Sequence, residues 1–236
     1  MALSSEPWRL DGLKIVAALA PAAPCWLWDR VAETPPDIAN SIALEGLQAI
    51  APATADEAIF AEAARAIGTA ESLAATVVDR TASVHLLRAQ PGYDVSHSEP
   101  RWPDRIFVSV PERRDRVGAL RLAESVIHEA MHLHLTVLET QCALVAGVTG
   151  QLMSPWRRAP RPCGGVLHGL FVFTCLQAFF RACREVAGSA ASAHVGQRLE
   201  EIGAEIWDVD VTALAAGLTH DGKQFLRALL DANVEV

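Results

Sequence analysis

His128 and His132 stand four residues apart with Glu129 beside the first, in the run His128-Glu129-Ala130-Met131-His132. In a helix of about 3.6 residues per turn, positions i and i+4 share a face, so both imidazoles can bind one divalent ion. The chemistry on offer is therefore metal chemistry, which as a rule needs at least three protein ligands. Glu139 lies on the same face but roughly 10 Å beyond His132 along the axis, too far to share the ion, and His134 is turned away by about 200°. The next histidine is His168, 36 positions after His132, in Cys163-Gly164-Gly165-Val166-Leu167-His168-Gly169. Small neighbours let backbone approach closely there. Joined to the upstream pair, His168 completes a three-histidine set.

That set needs a helix beneath it. Between 117 and 144 there is no proline, Gly118 is the one breaker, and Leu122, Val126, Met131, Leu133, Val137 and Leu138 give an apolar stripe of helical period behind an N-cap at Asp115. Helical spacing also marks 38–50, 56–75, 166–186, 194–216 and 221–232, while 83–88 and 105–110 read as strands and 147–162 as a loop. The layout is α+β and predominantly helical, a zincin-like metal helix with a small antiparallel sheet. We expect one domain over 1–236, with a helical N-terminal part (1–80), a metal-site core (81–187) and C-terminal helices (188–236). Trp102, Trp156 and Trp207 read as packing residues, and His85, His194 and His220 carry no signal.

With 236 residues, 51% hydrophobic and 20% charged, the chain can bury a sizeable core. A net charge of −8 argues against a nucleic-acid partner. Five cysteines, odd in number and without C-x-x-C pairing, suit a reducing compartment. The stretch 13–28 carries Pro21 and Pro24 and lacks a basic cluster before it, and 164–180 is interrupted by His168 and Gln177. Neither reads as a signal peptide or membrane span, so a soluble, cytoplasmic protein is expected.

Two reactions suit such a site. In zinc hydrolysis three ligands hold the ion, water takes the fourth position, and Glu129 is the general base. In oxidation by iron(II) and 2-oxoglutarate the metal keeps open positions, and a cation must receive the far carboxylate of the diacid. Arginine suits that task because its planar fork binds both oxygens. The segment Ser154-Pro155-Trp156-Arg157-Arg158-Ala159-Pro160-Arg161-Pro162 sets three arginines among stiff prolines just before His168. A peptidase has no evident need of them.

The ordered trio H-E-x-x-H, S-P-W-R-x-x-P-R-P and G-x-L-H-G resembles the HExxH-motif proteins encoded with ribosomally made, post-translationally modified peptides. The similarity covers roughly residues 80–175, including Asp94 to Pro100 and Ile106 to Ser109. It implies an iron(II)/2-oxoglutarate-dependent peptide β-hydroxylase whose partner is a precursor peptide. His128, His132 and His168 would hold the iron. Arg157 or Arg161 would receive the cosubstrate carboxylate, with Arg157 preferred because it follows the Ser154-Pro155-Trp156 turn, and Ser154 is a third cosubstrate candidate. Glu129 would orient a ligand, contact substrate or act on a proton. In zincin-like layouts an edge strand beside the metal helix pairs with extended peptide, a role expected for 105–110. Ser96, His97, Ser98, Phe107 and Ser109 are the substrate-contact candidates. A zinc peptidase remains the alternative, because imidazoles suit both metals.

Overall fold

The protein is represented by a computed structural model that describes residues 25–147, 150–186 and 188–234. The expectations for 1–24, including most of the stretch at 13–28, lie outside the described residues. Four strands form one sheet in the order β1 (Val31–Ala32), β2 (Ser83–Leu87), β4 (Arg105–Ser109), β3 (Ser96–Ser98). The first three run parallel and β3 is antiparallel to β4. The sheet is thus mixed and mostly parallel, not antiparallel as expected. Strand direction is set by the crossovers, and that from β1 to β2 passes through α1 (Pro36–Ala43), α2 (Glu57–Gly68) and α3 (Glu71–Arg80). A strand's own residues do not record it.

Side-chain alternation then assigns the two faces. Val84, Leu86, Ile106 and Val108 join the main core, whereas Leu87 and Phe107 pack with Ile38 and Ile42 of α1. With both faces covered, β2 and β4 are buried along nearly their whole length. Because β4 is flanked by β2 and β3, it cannot be the edge strand the sequence suggested. That position belongs to β3.

The motif helix is α4 (Arg116–Glu139). Asp115 caps it, its carboxylate accepting the Gly118 N–H at 3.1 Å and so satisfying one of the first turn's orphan donors. Gly118 is required rather than disruptive: a Cβ would lie 2.0 Å from the Arg113 carbonyl oxygen, so only glycine lets the incoming loop rest on this turn. The helix packs against α2 and α3, the sheet strands β3 and β4, and α5 (Cys163–Val186).

Four other boundaries differ from expectation, among them the run at 194–216, which breaks at 208–210 into two helices. The run at 56–75 divides into α2 and α3, and that at 38–50 stops after Ala43, where the chain turns at Gly46 with φ 80°. The expected loop at 147–162 contains an antiparallel hairpin, β5 (Gln151–Ser154) with β6 (Ala159–Pro162). The C-terminal helices are α6 (Ser189–Trp207), α7 (Val211–Ala216) and α8 (His220–Val234). Trp207, expected to pack, is 88% exposed. Helix α5 is long and apolar enough to cross a membrane, but 67% of its most apolar window is buried inside the protein. Packing against α4, α6 and α8 accounts for its composition.

Candidate metal centre

Helices α4 and α5 bring His132 and His168 together, their Nδ1 atoms 3.4 Å apart and their rings stacked at 5.6 Å between centroids. Two nitrogens each about 2.1 Å from one tetrahedral ion would be separated by roughly that distance. His128 stands edge-on to His132, centroids 4.8 Å apart, with Phe173 of α5 packed against it. Its nitrogens do not close a tight trio with the other two.

Burial, followed by the field of Arg157 and then Arg198, brings His128 down to about 4. Burial and then the neighbouring His128 bring His132 to about 3, against the opposing pull of Glu129. Both rings are therefore neutral near physiological pH and have a lone pair to give a cation. His168 donates its Nε2–H to Glu139 Oε2 at 2.9 Å, which leaves its Nδ1 lone pair facing His132. Glu139 is too far along the helix to reach the His132 position itself, yet it grips the third histidine.

Glu129 is 5% exposed, and each of its oxygens accepts a serine hydroxyl at 2.6 Å, Ser96 on one and Ser98 on the other. The register explains the pairing. Ser96 stands opposite Val108 and Ser98 opposite Ile106, both on the face turned to α4, while His97 stands opposite Phe107 on the other face.

The remaining substrate candidates separate accordingly. Phe107 is buried among His85, His97 and Trp102, and the Ser109 hydroxyl accepts the Val95 N–H at 2.8 Å, so neither is open to a substrate. His97 turns away from Glu129 toward Glu45 and Glu99. Among the described residues, Glu45, His97 and Glu99 are the trio whose ligand atoms all fall within 4.8 Å. Arg101 already pairs with Glu99 and holds its carboxyl down to about 2, supplying a cation in place.

The arginine segment is the turn of the β5–β6 hairpin. The Ser154 carbonyl accepts the Arg158 N–H at 2.8 Å and its hydroxyl the Arg157 N–H at 3.4 Å, so buried Ser154 shapes the turn instead of facing a cosubstrate. Arg158 takes φ 49°, which lets four residues close the hairpin. Trp156 stacks on Phe173 with centroids 5.0 Å apart, and it lies against Gly169, where a Cβ would be 2.6 Å from its ring. Its buried indole N–H has no acceptor among the described residues. Arg157 and Arg161 are exposed, and among the described residues neither pairs with a carboxylate. Of the two, Arg157 is the one whose field reaches both motif histidines.

A cavity of about 430 Å³ opens beside this cluster, lined by Tyr93, Asp94, Arg121, Glu124, His194 and Arg198 together with Ser96 and His128. Arg121 pairs with Asp94 at 2.6 Å and Arg198 with Glu124 at 2.5 Å. Sequence reasoning missed these groups. Arg121 and Glu124 were legible in principle, being seven and four residues before His128 on one helical face. His194 and Arg198 come from α6, and only tertiary packing brings them here.

No protein-family model matches the chain, and a search of curated proteins finds no match either.

Proposed function

We propose that this protein is an iron(II)/2-oxoglutarate-dependent dioxygenase that hydroxylates a side-chain carbon of a ribosomally made precursor peptide, in the manner of the HExxH-type proteins its motifs resemble. The observation that carries the reading is the meeting of His132 and His168, 36 residues apart in sequence, at 3.4 Å between nitrogens. Bound iron would supply the oxidising chemistry, in which one oxygen of dioxygen enters the substrate C–H bond and the other enters 2-oxoglutarate as it becomes succinate and carbon dioxide. His132 and His168 would hold the ion, with His128 beside them. A soluble, cytoplasmic setting belongs to the same proposal.

The other roles follow from the side chains present. Arg157 offers a fork to the far carboxylate, and the orphaned indole N–H of Trp156 next to it is a buried donor that an anionic oxygen would satisfy. The edge of β3 that faces away from β4 offers main-chain groups to an extended peptide, and the adjoining cavity gives the target side chain room near His128. Glu129, with both oxygens taken by serines, fixes β3 against the metal helix. That engagement weighs against zinc hydrolysis, where the carboxylate must take a proton from water.

Two measurements separate the readings. Under anaerobic conditions the iron(II) protein should develop a charge-transfer absorption with 2-oxoglutarate, and Arg157→Ala should weaken that binding by about 10–100-fold, the worth of one charge-assisted contact, with metal content unchanged. Metal loss with unaltered cosubstrate affinity would overturn the assignment of the hairpin. Glu129→Gln should leave both metal and 2-oxoglutarate affinity within about threefold, since neither contact runs through the carboxylate. Peptide cleavage with zinc and no keto acid, abolished by Glu129→Gln, would establish the hydrolytic alternative.

A further inference from the structure

A histidine that uses both ring nitrogens is more constrained than one that uses a single nitrogen. His168 has Glu139 on Nε2 at 2.9 Å and His132 on Nδ1 at 3.4 Å. We propose that Glu139 is a positioning residue: by accepting the Nε2–H of His168 it fixes the tautomer and ring orientation that present the Nδ1 lone pair at the metal position. The assignment rests on the metal reading above.

The sequence disguises this role. Glu139 is seven residues beyond His132, two turns along the same face of α4, which excludes it as a ligand to an ion held there. The ring of His168, projecting from α5, spans that gap. An ion pair on the open surface would carry little meaning, because exposed pairs contribute almost nothing. This pair is sheltered, with side-chain exposures of 18% for His168 and 29% for Glu139. Its geometry is also specific, since a carboxylate accepting from one imidazole nitrogen fixes which nitrogen carries the proton and stops the ring from turning. The same contact ties the last residue of α4 to α5 across the helix pair.

The test compares the full-length protein with Glu139→Ala and Glu139→Gln. Cobalt(II) dissociation constants come from competition with a chromophoric chelator, and NMR of the imidazole nitrogens reports the His168 tautomer in the metal-free state. Glu139→Ala should weaken cobalt binding by about 10–100-fold and release His168 into a mixture of tautomers. Glu139→Gln keeps an acceptor oxygen without the charge, so it should retain the tautomer and lose less than about tenfold. Cobalt affinity within about twofold of wild type in Glu139→Ala, with His168 still protonated on Nε2, would overturn the proposal. If Glu139→Ala fails to fold, the tautomer in Glu139→Gln decides, and free exchange there would count against it. A wild-type protein that binds cobalt no better than His132→Ala would sink the metal reading instead, leaving the tautomer measurement to judge Glu139 alone.

Discussion

Replacing His168 by alanine is expected to weaken divalent-metal binding by about 100- to 1,000-fold. An apparent site energy of ~10–16 kcal/mol spread over about four ligands makes one imidazole worth ~2.5–4 kcal/mol. The loss should be visible as metal content falling to near background after gel filtration. His134→Ala is the internal control: its ring comes from the same helix but stacks near Phe171, away from the cluster, and its loss should leave metal content unchanged. His97→Ala probes the competing trio with Glu45 and Glu99, where Arg101 already provides positive charge. Metal lost in His97→Ala and retained in His168→Ala would move the metal site to the far face of the sheet.

How far the site was readable before folding depends on the range of each contact. Helical periodicity is local, so the shared face of His128 and His132 and the Asp115 cap followed from residues within a few turns. Alternation is local too, but it holds only within a strand, and the proline-punctuated run around Ser96, His97 and Ser98 does not mark itself as β3, so neither their alternation nor the face that meets α4 was legible. The direction of the strands was lost because it depends on connections, and with it the identity of the edge strand. The candidates Phe107 and Ser109 on β4 are buried for the same reason, inside a sheet covered on both faces.

Longer-range contacts divided in an instructive way. Motif order pointed to His168, which the structure sets against His132, whereas the distance argument that excludes Glu139 as a ligand says nothing of its hydrogen bond to His168. The α6 groups around the cavity had no sequence signature. Burial raises the Glu124 carboxyl above its ordinary value despite Arg198 beside it, a consequence of packing between α4 and α6. No window on either helix alone encodes that environment.

The hairpin that carries Arg157 should be held in place chiefly by one glycine, and Gly169→Ala is the substitution that exposes this. Two effects oppose each other. Alanine gains up to ~1 kcal/mol over glycine inside a helix, but its Cβ would sit 2.6 Å from the Cε3 and Cζ3 atoms of Trp156. An indole packed between Gly169 and Phe173 cannot give way by rotating a flexible end, so overlap should dominate and cost ~2–3 kcal/mol before the propensity gain. The net loss of ~1–2 kcal/mol should lower the melting temperature by ~3–6 °C. Gly196 in α6 supplies the opposite sign: a Cβ there meets nothing within 4 Å, so Gly196→Ala should raise the melting temperature by ~2–4 °C. Function should follow the hairpin. As Trp156 shifts, Arg157 shifts with it, so Gly169→Ala should weaken 2-oxoglutarate binding about as much as Arg157→Ala does, although residue 169 carries no group that could touch the cosubstrate. Trimming the ring resolves the cause, because in a Trp156→Leu background Gly169→Ala should become neutral or stabilising, a coupling that appears only between residues in contact. Unchanged melting in Gly169→Ala, or additive effects in the double variant, would mean that the indole does not rest on α5 beside the histidine.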